Sequence, residues 1–192
     1  FGSAAPQARG LAGLTLAGGS RVTTDQAVTV TGLFSWGESE VSGGGTVTAA
    51  GGMAMRPGYS YLSGSRLVNQ GAMAWQTNGY NLNLRDGARI DNAGAWDFQS
   101  DGGVEQYSGA MGVFSNTGTL TKSGGAGFSS VRTTFDNTGA VRVASGLLEL
   151  GHRDSPVPSR STTALQAGGA GLAFEGPFHA ESDVVAGTLY MT

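Results

Sequence analysis

The sequence predicts an all-β, single-domain parallel β-solenoid of roughly eight coils, about 21–24 residues each. Three observations predict it. A nine-residue phrase recurs four times, as "LVNQGAMAW" (67–75), "IDNAGAWDF" (90–98), "FSNTGTLTK" (114–122) and "FDNTGAVRV" (135–143). Its Asn falls at 69, 92, 116 and 137, so the spacings are 23, 24 and 21, the length of one solenoid coil. Within each phrase apolar residues alternate with period two, the mark of a strand buried on one face. The composition agrees: 34 Gly, 13% charged and 39% hydrophobic residues suit many short strands joined by tight turns. A collagen-like chain is excluded by the lack of a Gly-X-Y period, and a wholly disordered one by the apolar content.

The columns of the repeat assign inside and outside. Column one is Leu67, Ile90, Phe114 and Phe135; column seven is Met73, Trp96, Leu120 and Val141. Both read as inward, as does column nine, Trp75, Phe98, Lys122 and Val143, in which Lys122 is the misfit. Column eight, Ala74, Asp97, Thr121 and Arg142, reads as outward. Column five is Gly71, Gly94, Gly118 and Gly139. A glycine two residues after Asn marks a bend that needs either positive φ or close approach of two backbones. The Asn column reads as a turn ladder of stacked amides in preference to a ligand-facing row.

Between the phrases lie further alternating runs, "NLNLRDG" (81–87), "VEQY" (104–107) and "GLLELG" (146–151), so each coil holds two or three strands. "VTVTGLFSW" (28–36), "GGGTVTAAGG" (43–52), "AGLAFEG" (170–176) and "VVAGTLYM" (184–191) extend the pattern with looser spacing. Residues 11–192 are therefore expected to form the solenoid, because a lone coil cannot bury its apolar side and stacking neighbours makes the core continuous. "GHRDSPVPSR" (151–160) breaks the rhythm and reads as an exposed loop. "FGSAAPQARG" (1–10) reads as an N-terminal arm or linker. The start at Phe1 without Met suggests a mature or excised piece of a longer protein.

Composition also narrows the partners. A net charge of −3, one Lys and scattered Arg give no basic face, which argues against nucleic acid and anionic lipid. No apolar run approaches the roughly 18 residues of a membrane helix, so no membrane insertion is expected.

The run "SWGESEVSGGGTVTAAGG", then the four phrases, then "ASGLLEL", resembles Gly/Asn-rich repeat segments of large bacterial surface and secreted proteins, adhesin-like or autotransporter-like. The resemblance covers residues 33–150, with a weaker echo at 165–192. It implies a β-solenoid fold, an extracellular or cell-surface location and a role as stalk or adhesive shaft. "HRDSPVPSR" departs from that pattern, which more often continues in Gly and Ser.

Catalytic chemistry is expected to be absent, with no cofactor and no metal. With two His and no Cys, neither a zinc site nor a Cys–His pair can be assembled readily. "GHRDS" (151–155) holds Ser, His and Asp, but in a loop without preorganisation. The outward carboxylates, Asp97, Glu105 and Glu149 with Asp86 and Asp101, look thin, and no coil-to-coil column stacks two acids. "SDGGVEQ" lacks the carboxylates of a calcium loop. The Thr pairs 29/31, 46/48 and 119/121 form no regular array. The Trp and Tyr residues are read as core packing.

The expected function is thus a structural or adhesive extracellular segment, a stalk or self-assembling fibre subunit. Its partners would be copies of itself or flanking repeats, joined by strand addition in which the Phe1 arm is one route. The alternative is a carbohydrate-binding or polysaccharide-cleaving β-helix with surface polysaccharide as partner. Exposed aromatics beside a paired-acid groove would favour that alternative; a bland Thr, Ser and Gly face would favour the shaft.

Overall fold

The computed structural model describes residues 9–191. Among them every regular element is a strand, and the strands form three parallel sheets of nine. The chain visits the three sheets in turn, once per coil, so each strand pairs with its counterparts in the coils before and after. The fold is a parallel β-solenoid of about nine coils rather than eight. The difference lies in the coils toward either end, which lack the Asn-x-Gly phrase and are shorter. Arg9 pairs with Val28 and Ala27 with Thr46, each 19 residues on, whereas Leu67 pairs with Ile90, 23 residues on. Three short strands and their bends close a coil in the smaller number, and the longer coils carry the excess in their turns.

Each nine-residue phrase is a strand, a bend and a second strand. In the last copy Thr134–Asn137 belongs to the first sheet and Ala140–Val143 to the second. The intervening glycine is required by close approach, not by positive φ. A methyl group on Gly94, Gly118 or Gly139 would lie 2.2, 2.0 or 2.1 Å from the carbonyl oxygen of Gly71, Gly94 or Gly118 in the preceding coil. Gly is the only residue that lets the bends nest at this spacing.

The Asn column forms a buried ladder. Asn69 Nδ2 donates to Asn92 Oδ1 at 2.8 Å, Asn92 to Asn116 at 2.7 Å and Asn116 to Asn137 at 2.6 Å. All four side chains are fully buried, so the row faces the interior and not a ligand. Columns one, seven and nine are buried as expected, and aromatic contacts run along the axis: Trp75–Trp96, Trp96–Phe114 and Phe114–Phe135 have centroids 5.9, 5.0 and 6.0 Å apart. Lys122 keeps its inward place. Its stem packs in the column, and its Nζ reaches Asp101 Oδ1 at 3.0 Å and the Gly124 carbonyl at 2.8 Å.

The excursion after Gly151 ends at Pro158, because Ser159 and Arg160 open the strand Ser159–Ser161 of the first sheet. Of the arm expected over 1–10, residues 1–8 lie outside the described residues, and Arg9 and Gly10 belong to the strand Arg9–Leu11. In the strand Thr188–Met191 of the third sheet, Leu189 and Tyr190 are about half exposed and Met191 more so.

Candidate functional site

Aromatic residues are sorted by sheet. The three Trp lie on strands of the second sheet, Phe34–Trp36, Ala72–Trp75 and Ala95–Phe98, and all are fully buried. The five Tyr lie on strands of the third sheet or within two residues before them. Tyr61 is in Ser60–Ser63, Tyr107 in Gly102–Ser108 and Tyr190 in Thr188–Met191. Tyr59 and Tyr80 stand at the turns that enter the third sheet. Tyr59, Tyr80, Tyr107 and Tyr190 are 53, 40, 59 and 50% exposed. Core packing is therefore right for the Trp residues and wrong for the Tyr residues. Phenol rings at an apolar–water boundary keep their hydroxyls wet.

One row of outward side chains crosses six coils of this sheet. Register pairs place Arg21 beside Glu40, Glu40 beside Tyr61, Tyr61 beside Asn83, Asn83 beside Glu105 and Glu105 beside Arg132. The register slips once. Leu84 pairs with Gln106 but Arg85 pairs with Ser108, leaving Tyr107 as the extra residue of a bulge. A bulge re-aims a side chain, and here it swings Tyr107 against Tyr61, with ring centroids 5.8 Å apart and planes at 82°. The Arg85 guanidinium caps both rings, 3.9 Å from the Tyr61 centroid and 4.8 Å from that of Tyr107.

Beside this aromatic group the carboxylates are not thin. Arg132 gathers three of them: Nη2 lies 2.6 Å from Glu149, Nε 3.3 Å from Glu175 and Nη1 3.8 Å from Glu105. Arg153 also holds Glu175, at 2.6 Å. Four coils contribute to the cluster, so column-by-column reading missed it, and Glu175 carried no signal in its own run "AFEG". Asn83, Ser130, Glu149 and Glu175 are at most 9% exposed although they project from the outer face. Burial pushes the Glu105 carboxyl above its ordinary value. A short hydrogen bond from Ser130 and the charge of Arg132 pull the other way without prevailing, and Glu149 and Glu175 add to the rise. Arg132 sits closer to Glu149 and Glu175 than to Glu105.

A groove of about 320 Å³ joins the two groups, lined by Asn81, Asn83, Glu105, Tyr107, Phe128 and Arg132. Phe128 is 52% exposed and lies under Arg132, whose guanidinium carbon is 5.8 Å from the ring centroid. Flat aromatic faces for C–H surfaces, with amide, carboxyl and guanidinium groups for hydroxyls, are the elements of a polar small-molecule site.

The other candidates are not assembled. His152 Nδ1 accepts from the backbone N–H of Asp154 at 3.1 Å, while Ser155 bonds the Val157 carbonyl and Thr134, so "GHRDS" makes no Ser–His–Asp relay. Asp101 of "SDGGVEQ" is committed to Lys122 and to the Gly127 N–H. Asp97 bonds Ser123, and Asp86 bonds Ser63, both away from the groove. Among the described residues no group of three or more His, Cys, Asp and Glu is placed to hold a metal ion. No family model matches the chain, and no curated protein or solved structure is significantly similar to it.

Proposed function

We propose that this chain is an adhesive segment of an extracellular solenoid shaft that binds polysaccharide along the outer face of its third sheet, without cleaving it. The observation that carries the reading is the groove floored by Glu105 and Arg132, in which Tyr107 and Phe128 present exposed rings, with Tyr61 packed against Tyr107 on the same sheet. Stacking platforms with adjacent polar groups suit a sugar chain. Binding is favoured over cleavage because Glu149 and Glu175 are both spent on Arg132, and Glu175 again on Arg153. The extracellular setting and the likeness to bacterial adhesins rest on the resemblance of residues 33–150 alone.

Affinity electrophoresis through gels containing neutral or acidic polysaccharides tests it. The chain is expected to be retarded by at least one polymer, and the double variant Tyr107→Ala/Phe128→Ala to migrate freely with an unchanged melting temperature. Retardation that survives this variant would move binding off the face. New reducing ends on prolonged incubation would make the groove catalytic.

A second reading concerns self-association. The apolar strand Thr188–Met191, with Met191 70% exposed, offers a sheet edge on which a further coil could stack, from flanking repeats or another copy. Sedimentation across a concentration series should show oligomers that Leu189→Lys abolishes.

A further inference from the structure

A second pocket lies away from the Glu105 groove, at a corner of the third sheet where Tyr59 and Tyr80 form two walls. Their ring centroids are 5.2 Å apart and their planes meet at 82°. The pocket they line has a volume of about 730 Å³. Tyr61 lines it as well, together with Glu38, Glu40 and Arg21.

Its charge is unbalanced. Arg21 and Glu40 neutralise each other, with Nη2 and Oε2 2.6 Å apart. Glu38 is exposed, and its carboxylate has no hydrogen-bond or ion-pair partner among the described residues. The three charged lining residues therefore leave one net negative charge. Glu38 is also held in place at some cost. Its φ is +45°, a region that residues with a side chain seldom occupy. Gly58 of the next coil, at φ +113°, packs against it so closely that a methyl there would lie 2.6 Å from Glu38 Cβ. A strained residue fixed at a pocket mouth is a pointer to function.

We propose that this corner binds a quaternary ammonium group of the choline type. The faces of perpendicular Tyr rings present negative quadrupole to a rounded cation from two sides, and an unpaired carboxylate supplies the counter-charge. A sugar ring prefers one open platform to a corner, and a metal ion would need several oxygen ligands where one free carboxylate is on offer. The same sheet already uses this contact internally, in the Arg85 guanidinium stacked 3.9 Å from the Tyr61 centroid. The site would serve a choline-substituted surface polymer, but it stands on its own geometry and does not depend on glycan binding in the neighbouring groove.

Titration of the chain with choline chloride, followed by proton NMR at constant ionic strength, tests the site without any polysaccharide. Saturable shifts confined to the Tyr59, Tyr61 and Tyr80 rings are expected, with 3,3-dimethylbutan-1-ol, the uncharged isostere, binding about tenfold more weakly. Tyr80→Leu keeps apolar bulk and removes the π face, and should weaken choline about tenfold; Glu38→Gln should weaken it several-fold. Melting curves accompany each variant, and if Tyr80→Leu proves unfolded, Tyr59→Leu takes its place. Absence of saturation at tens of millimolar choline, equal binding of the isostere, or undiminished binding by folded Tyr80→Leu and Glu38→Gln would each overturn the assignment. Absence of polysaccharide retardation in the parent chain, or retardation that survives the groove variant, with choline binding intact would refute glycan binding in the groove alone.

Discussion

Lys122 and Asp101 form an ion pair that joins the interior of the solenoid to its surface: the Lys122 side chain is fully buried, the Asp101 side chain is 40% exposed, and their charged atoms are 3.0 Å apart. The pairing explains how a lysine occupies a column otherwise filled by Trp75, Phe98 and Val143. Asp101 follows Phe98, the residue that pairs with Lys122, by three positions, so the turn after the strand returns a carboxylate to the ammonium.

Removing one partner of such a pair is worse than replacing the buried one. Asp101→Ala strands an ammonium with only the Gly124 carbonyl, and should cost about 3 kcal/mol. Lys122→Leu restores the apolar column and should fall within about 1 kcal/mol of the parent, or exceed it. Urea melts of the two variants check the order; an equal or reversed ranking would mean that Lys122 is not held by Asp101.

The inward and outward columns make a second contrast. Phe135 is fully buried, between Phe114 at 6.0 Å and Phe178 at 6.5 Å. Phe135→Ala should cost about 3–5 kcal/mol. Thr121, in the outward column, should lose no more than about 0.5 kcal/mol on substitution by Ala. Comparable losses for the two in denaturant melts would invert the assignment of faces.

These contrasts show how much the sequence disclosed. The Asn and Gly columns are legible because nesting bends accept only particular residues, so the same letters return at each coil. The apolar columns are legible because alternation is a local property of a strand. The early coils are less so: the bends between Ala27–Val30 and Phe34–Trp36 lack Asn-x-Gly, so the shorter coil length, and hence the ninth coil, escapes the pattern. The face of the third sheet is hardest to read. Glu105, Arg132, Glu149 and Glu175 meet across coils of unequal length, and Tyr107 is the extra residue of a bulge that no sequence pattern marks.

Glu105 makes stability depend on pH in a stated direction. Its folded-state carboxyl titrates above the unfolded one, chiefly through burial. Between the two values the native state binds more protons, so stability falls as pH rises through that window. The contribution is fully present below the ordinary carboxylate range and lost above the raised value. Glu105→Gln removes this titration while preserving shape, and its melting temperature should fall less than the parent's between mildly acidic and neutral pH. Parallel pH profiles of parent and variant would show that Glu105 is not shifted.

The Asn ladder has an inside and an end, and the two should respond differently. Asn92 is internal: its Oδ1 accepts from Asn69 at 2.8 Å, and its Nδ2 donates to Asn116 Oδ1 at 2.7 Å and to the Thr119 carbonyl at 2.9 Å. Asn69 is the first rung, because its partner in the preceding coil is Ala49, and its buried Oδ1 has no donor. Asn92→Ala deletes three hydrogen bonds and leaves Asn116 Oδ1 without its donor in a dry interior, a loss of about 4 kcal/mol. Asn69→Ala deletes only the bonds to Asn92 and to the Ala95 carbonyl, and it passes the orphaned oxygen from Asn69 to Asn92 without adding a second, so about 2 kcal/mol is expected. Asn92→Asp separates hydrogen bonding from volume: the side chain keeps its size but presents a carboxylate to Asn116 Oδ1. It should be at least as damaging as Asn92→Ala at neutral pH and recover in part in acid, where one oxygen regains a proton to donate. Thermal melts of the three variants at two pH values measure all of this. If Asn69→Ala and Asn92→Ala lose the same stability and Asn92→Asp shows no acid recovery, the amides act as separate turn residues and not as a connected ladder.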